Sequence, residues 1–117
     1  MTITVDGSTE MHGTHQCYRI DIDDKPTHLP YTEFRLFWVL CEQYPKWVRK
    51  DVLWHPDYTS RYLWRMKCLI QDALHTDWVV YENDRKGNYR LNAQDGTVIT
   101  INPDLRIDDN LRIVGGN

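Results

Sequence analysis

The sequence predicts an α+β fold in which a strand hairpin leads into three helices and a second hairpin follows them. Three observations carry the prediction. In YRIDID, Tyr18, Ile20 and Ile22 alternate with polar residues, the period of a half-buried strand. In YTEFRLFWVLCEQY, Phe34, Phe37, Trp38 and Cys41 recur at helical spacing, and in residues 60 to 74 a second apolar stripe does the same. WVVYENDRKGNYRL then places two strand-forming runs around a turn rich in Asn83, Asp84, Gly87 and Asn88. A chain of 117 residues makes one domain, 1–117, large enough to bury a core without disulfides or metals.

The elements follow in order. After YRIDID, the run Asp23, Asp24, Lys25, Pro26 supplies a turn and the chain doubles back, giving an N-terminal hairpin. Leu36, Val39 and Leu40 broaden the apolar arc of the first helix, so it is expected to be mostly buried, and Pro45 helps to stop it. KWVRKDVLW has room for only a short helix before His55 and Pro56 interrupt it. The third helix, 60–74, separates on a helical wheel. Tyr62, Leu63, Met66, Leu69, Ile70, Ala73 and Leu74 share the core side, while Arg61, Trp64, Arg65, Lys67, Cys68, Gln71 and Asp72 share the other. The second hairpin is expected to pair Trp78–Glu82 with Tyr89–Leu91 and to carry Arg85 and Lys86 at its tip, with Asn88 either at positive φ or in the tight part of the turn.

Residues 92–117 read as a β-rich extension. Asp95 and Gly96 signal a turn, Thr97–Ile101 alternates and is expected to lie beside Leu91, and LRI recurs at 105–107 and 111–113. The extension either completes the sheet within the chain or covers a strand edge in a homodimer or with another protein.

Charge and cysteine content narrow the function classes. The formal net charge is -3, which counts against non-specific coating of nucleic acid, but only residues 30 to 74 carry more basic than acidic groups, seven against five. Cys17, Cys41 and Cys68 are odd in number and far apart, which fits free thiols in a reducing compartment. MTITVDGSTE lacks a secretory pattern and no apolar run is long enough to span a bilayer, so the expected location is the cytoplasm, away from membranes. HGTHQC brings the ligand types His12, His15 and Cys17 together, with His28 or His75 able to approach in the fold. No second cluster accompanies it, so a polar linker is the preferred reading, with no metal and no cofactor. The chain also lacks a phosphate-binding glycine loop, a nucleophile elbow and a metalloprotease helix, and an enzyme is not expected.

Three helices followed by a hairpin with a basic tip describe a winged helix-turn-helix, in which the third helix enters the major groove and the wing, 83–88, touches the flanking backbone. A tryptophan at the centre of a cationic, solvated face needs a partner or a covering segment. The candidate DNA-binding residues are therefore Arg61, Trp64, Arg65, Lys67, Cys68 and Gln71 on the helix with Arg85 and Lys86 in the wing, and no catalytic residue is nominated. The alternative is a winged-helix module that binds protein, with Trp64 as the anchor in a partner's pocket.

LPYTEFRLFWVL at 29–40, DYTSR at 57–61 and RKGNYRL at 85–91 resemble the effector domains of bacterial response regulators of the OmpR and PhoB type. Their pattern runs L-T-x-x-E-F-x-L-L-x-x-L, a short helix, a recognition helix and G-x-G-Y-R-L in the wing. The resemblance covers residues 18–91, with Leu29, Glu33, Phe34, Leu36 and Leu40 on the first-helix pattern and Asn88 where the family has its second wing glycine. It implies sequence-specific binding of double-stranded DNA by a transcriptional regulator. The chain departs from the pattern at Pro30, which takes the cap position and leaves Glu33 without a hydroxyl partner, and at LIQDAL, where the family's third helix ends in R-L-R-x-K-L. The short second helix and its loop also bear on recruitment of RNA polymerase. With no receiver domain ahead of the fold, control is expected to come from either terminal segment or from another chain.

Overall fold

Ile3 and Val5 are fully buried while Thr2 and Thr4 alternate away from them, and this pattern makes Thr2–His12 a strand, β1. The computed structural model describes residues 1–53 and 60–116, with Ser60 described in its backbone alone. β1 pairs antiparallel with β2, His15–Ile22, and β2 pairs with β3, Lys25–Pro30. The expected turn lies between β2 and β3, where Asp23 and Asp24 take φ of 51° and 64°, a conformation that short polar side chains tolerate better than most. HGTHQC is no linker. His12 and His15 face each other across the β1–β2 turn, and Cys17 is buried in β2.

Helix α1, Tyr31–Gln43, begins directly after β3 with Pro30 as its cap residue and no side-chain cap bond, as the sequence requires. It buries Phe34, Leu36, Phe37, Trp38, Leu40 and Cys41, and the rings of Tyr18, Phe34 and Trp38 follow one another at centroid separations of 5.3 and 6.1 Å. Helix α3, Ser60–Leu74, closes the core from the other side with Leu63, Met66 and Ile70. In its last turn Ala73 departs from the wheel and is exposed, while Leu74 is half-buried, packed against the edge of the core where it lines a small cleft with Met1, Ile22 and Trp78.

Between these helices the chain forms a two-residue strand, β4, Val48–Arg49, and a single-turn helix, α2, Lys50–Leu53. The helix starts later than the sequence suggested because Val48 and Arg49 pair with Tyr89 and Asn88. Trp54, His55, Pro56 and residues 57–59 of DYTSR lie outside the described residues. The second hairpin joins β5, Tyr81–Asn83, to β6, Asn88–Leu91. β5 starts three residues later than expected. Trp78 and Val80 are buried, but they are fixed by bonds to one residue, Trp78 Nε1 donating to the Asn92 carbonyl and the Asn92 N–H to that of Val80. Asn88 closes the turn against Asp84 but does not take a positive φ. The positive φ values fall on Arg85, 60°, and Gly87, 90°, while Asn88 belongs to β6 and donates through Nδ2 to Asp84 Oδ2 at 2.6 Å.

The C-terminal extension packs within the chain, but not where the sequence placed it. β7, Val98–Ile101, runs parallel to β1 with Ile3 opposite Ile99, so the first sheet has the order β3-β2-β1-β7, and Leu91 lies in the separate sheet β4-β6-β5. The two LRI repeats pair as β8, Arg106–Ile107, with β9, Ile113–Val114. This hairpin docks on an irregular stretch of β1 between Val5 and Thr9. Leu105 is buried there against Gly7, Gly116 lies beside the Gly7 carbonyl, and Asn102 Nδ2 donates to the carbonyls of both Asp6 and Gly115, while Ile113 is also buried. Among the described residues no helix is long and apolar enough to cross a membrane.

Candidate nucleic-acid interface

Burial of Leu63, Met66 and Ile70 fixes the rotation of α3 and decides what its opposite face presents. That face divides into two parts. Arg61, Trp64 and Arg65 are exposed, Trp64 to 60%, whereas Lys67, Cys68 and Gln71 are half-buried. The cover comes from the segment that follows the helix. Gln71 Nε2 donates to the Trp78 carbonyl at 2.9 Å, and burial, with Tyr89 and then Cys68 adding to it, pushes the Tyr81 hydroxyl above the usual tyrosine range. Gln71 thus holds the chain's exit from the helix, and its amide is committed to that bond.

Arg61 and Arg65 differ despite equal spacing from Trp64. The Arg61 guanidinium lies 5.8 Å from the centroid of the Tyr62 ring and is otherwise presented to solvent. Arg65 turns back toward α1, where its Nε is 3.3 Å from Oε1 of Glu33, a carboxylate whose side chain is only 3% exposed. A buried carboxylate requires such a partner. The sequence signal for this pair was present in Pro30. Proline has no backbone N–H to donate to the carboxylate that would close a capping box, and Glu33 points instead to α3. Arg65 and Glu33 also line a cleft of about 420 Å³ whose far wall is built by Thr14, His15, Gln16 and Tyr18 of the β1–β2 turn and β2.

The hairpin tip is ordered by its own side chains. Asp84 Oδ1 accepts from the Lys86 and Asn88 N–H groups and Oδ2 from the Asn88 amide, and these bonds, the Asn88 side chain first, hold the Asp84 carboxyl below the usual carboxylate range. Arg85 and Lys86 are exposed above this turn. The pairing of β4 with β6, together with the Lys50 N–H donating to the Gly87 carbonyl, brings the exposed residues Arg49 and Lys50 beside them. Sequence reasoning missed these two cations because they precede the hairpin by some 35 residues and are joined to it only through β4. Arg49 is partly offset by Asp51, 3.3 Å away on the exposed surface.

The groups that can hold a metal differ from the trio in HGTHQC. Cys17 is buried, its thiol pushed up by burial, and its Sγ lies 4.0 Å from the His15 carbonyl. His12 instead meets Glu10 and His28, the three offering ligand atoms within 4.8 Å of one another. All three cysteines are free. No family model, curated protein or solved structure matches this chain.

Proposed function

We propose that the chain is a winged-helix module that binds double-stranded DNA in a sequence-specific manner and acts as a transcriptional regulator. In this reading α3 lies in the major groove and the β5–β6 hairpin is the wing on the flanking backbone. The observation that carries it is Trp64, exposed to 60% at the centre of a helix face bearing Arg61 and Arg65, while the reverse face is locked into the core. An exposed indole between guanidinium groups suits a contact surface, offering apolar area for base edges with cations for phosphates on either side. The cations at the hairpin tip, Arg85 and Lys86 with Arg49 and Lys50, supply a second set of backbone contacts. The order of three helices and a following hairpin supports the resemblance to the OmpR and PhoB effector domains.

The geometry refines the contact set. Arg61, Trp64, Arg85 and Lys86 are the principal contacts. Arg65 contributes from the rim of its cleft while paired with Glu33, Lys67 reaches from the helix flank, and Cys68 and Gln71 are largely turned to the segment 76–81. This narrowing of the reading face favours the second reading as well, a module that seats Trp64 in a protein pocket. Selection of bound duplexes from a random pool, followed by sequencing, separates the two. DNA reading requires an enriched motif that disappears with Trp64→Ala, and recovery of unenriched sequence by the native chain would leave the protein-binding reading in its place.

A further inference from the structure

The register of the first sheet builds a site that the order of residues conceals. Glu10 and His12 stand two apart on β1 and so share a face, where they are opposite Cys17 and His15 of β2. Cys17 is in turn opposite Pro30, and Arg19 opposite His28, of β3. The short side chain at Cys17 lets Glu10 reach over β2, and His28 meets it from the other side. Glu10 Oε2 lies 2.8 Å from His12 Nε2 and 3.1 Å from His28 Nδ1, and the two imidazole rings are 5.6 Å apart and tilted.

We propose that Glu10, His12 and His28 form a binding site for a divalent transition-metal ion, Zn²⁺ in the first instance, with the fourth coordination position open to water or an added ligand. Two imidazole nitrogens converging on one carboxylate oxygen are the arrangement that such an ion replaces. Zinc bonds of about 2.0 to 2.2 Å in a tetrahedron put neighbouring ligand atoms about 3.3 Å apart, so the two carboxylate–imidazole separations need to open by only about half an ångström or less, with the imidazole nitrogens already within 4.8 Å of each other. The ligand set selects the ion. Two imidazoles with a single carboxylate suit zinc, copper and nickel and are a poor match for the all-oxygen shells of calcium and magnesium. A carboxylate is ionised at neutral pH, and a bound ion takes the place of the hydrogens now shared between Glu10 Oε2 and the imidazole nitrogens of His12 and His28. The site is also reachable, with Glu10 and His12 exposed and His28 at its inner side. A bound ion would tie the end of the β1–β2 hairpin to the edge strand β3, across the full width of β2.

The test is calorimetric titration of ZnCl₂ into the untagged full chain in a non-coordinating buffer. One equivalent is expected to bind, with affinity weakened at least about tenfold in Glu10→Gln, His12→Ala and His28→Ala, since losing a ligand costs no less than losing its supporting partner. His75→Ala, at the far end of α3, should bind as the native chain does. Glu10→Gln keeps the size and shape of the side chain and is the deciding variant, with circular dichroism of the metal-free protein verifying that each variant is folded. Absence of saturable binding at millimolar zinc would overturn the proposal. So would native affinity in Glu10→Gln, or a single site that survives both histidine substitutions and is lost with Cys68→Ser.

Discussion

Gly115 and Gly96 have similar backbones and opposite surroundings, so one substitution made at both separates conformational strain from docking. Gly115 has φ +96° and a Cβ there would meet the Asp104 carbonyl oxygen at 1.8 Å, whereas Gly96 has φ +81° and nothing within 4 Å. Alanine at Gly96 pays for the left-handed conformation alone, about 1 to 2 kcal/mol. At Gly115 the obstacle is backbone that cannot swing aside, and the cheaper response is release of residues 113 to 116 from β1. Release forfeits the burial of Ile113, about 1.5 to 3 kcal/mol, and the bond from Asn102 to the Gly115 carbonyl, about 1 kcal/mol. Gly115→Ala is therefore expected to cost about 2.5 to 4 kcal/mol, about 0.5 to 3 kcal/mol more than Gly96→Ala, and to melt about 2 to 15 °C below it at about 3 to 5 °C per kcal/mol for a domain of this size. Thermal and urea unfolding followed by circular dichroism measure the difference. Hydrogen exchange adds a local readout, since the Arg106–Ile107 strand should lose protection with its partner β9. Equal stability of the two variants would refute the close packing of Gly115 on the Asp104 backbone.

Other expectations follow from the core, the ion pair and the hairpin. Phe37 is fully buried in the core, so Phe37→Ala should cost about 3 to 5 kcal/mol in urea unfolding. Arg65→Ala should destabilise the fold by about 1 to 3 kcal/mol, because the buried Glu33 loses its partner, while Arg61→Ala should fall within about 0.5 kcal/mol of the native chain. Equal effects of the two arginines would place the Glu33 carboxylate in water. The depressed carboxyl of Asp84 makes the hairpin turn firmest above the ordinary carboxylate range. Its contribution should fade as pH drops below about 4, a change readable in the Asn88 and Tyr89 amide shifts and absent in Asp84→Asn.

The helices were legible because their information is local. The α3 stripe of Leu63, Met66 and Ile70 fixed both its ends and its rotation, and the exposure of Trp64 followed from it. Ala73 fell away because a wheel assumes a partner along the whole helix, whereas at its last turn only Leu74 still packs against the core. Parallel pairing leaves no local mark, so Val98–Ile101 was recognisable as a strand while its place beside β1, nearly a hundred residues away, was not. β1 itself was hidden by Gly7, whose φ of +82° breaks the alternation begun by Ile3 and Val5 and creates the irregular stretch that receives the extension. At the hairpin, the turn residues were found but not their roles. Arg85 takes a positive φ as residue two of the tip, held by the Asn83 side chain accepting from its N–H, and Asn88 spends its amide on Asp84. The histidines of HGTHQC were visible as ligand types, yet only the register could exchange Cys17 for Glu10 and His28 as neighbours of His12.

The DNA-reading assignment stands or falls on the salt dependence of binding to a selected duplex. Arg61, Lys67, Arg85 and Lys86, with Arg49 and Lys50 beside the tip, are positioned to displace counterions from phosphates, and four or five such contacts give a log-log slope of about -3.5 to -4.5 per protomer. Trp64→Ala should weaken binding at every salt concentration and leave the slope and the melting temperature nearly unchanged, because the indole contributes contact area without charge and lies outside the core. A steep slope with a parallel, weaker line for Trp64→Ala is the expected result, and a flat series, or no duplex retained at low salt, would contradict it.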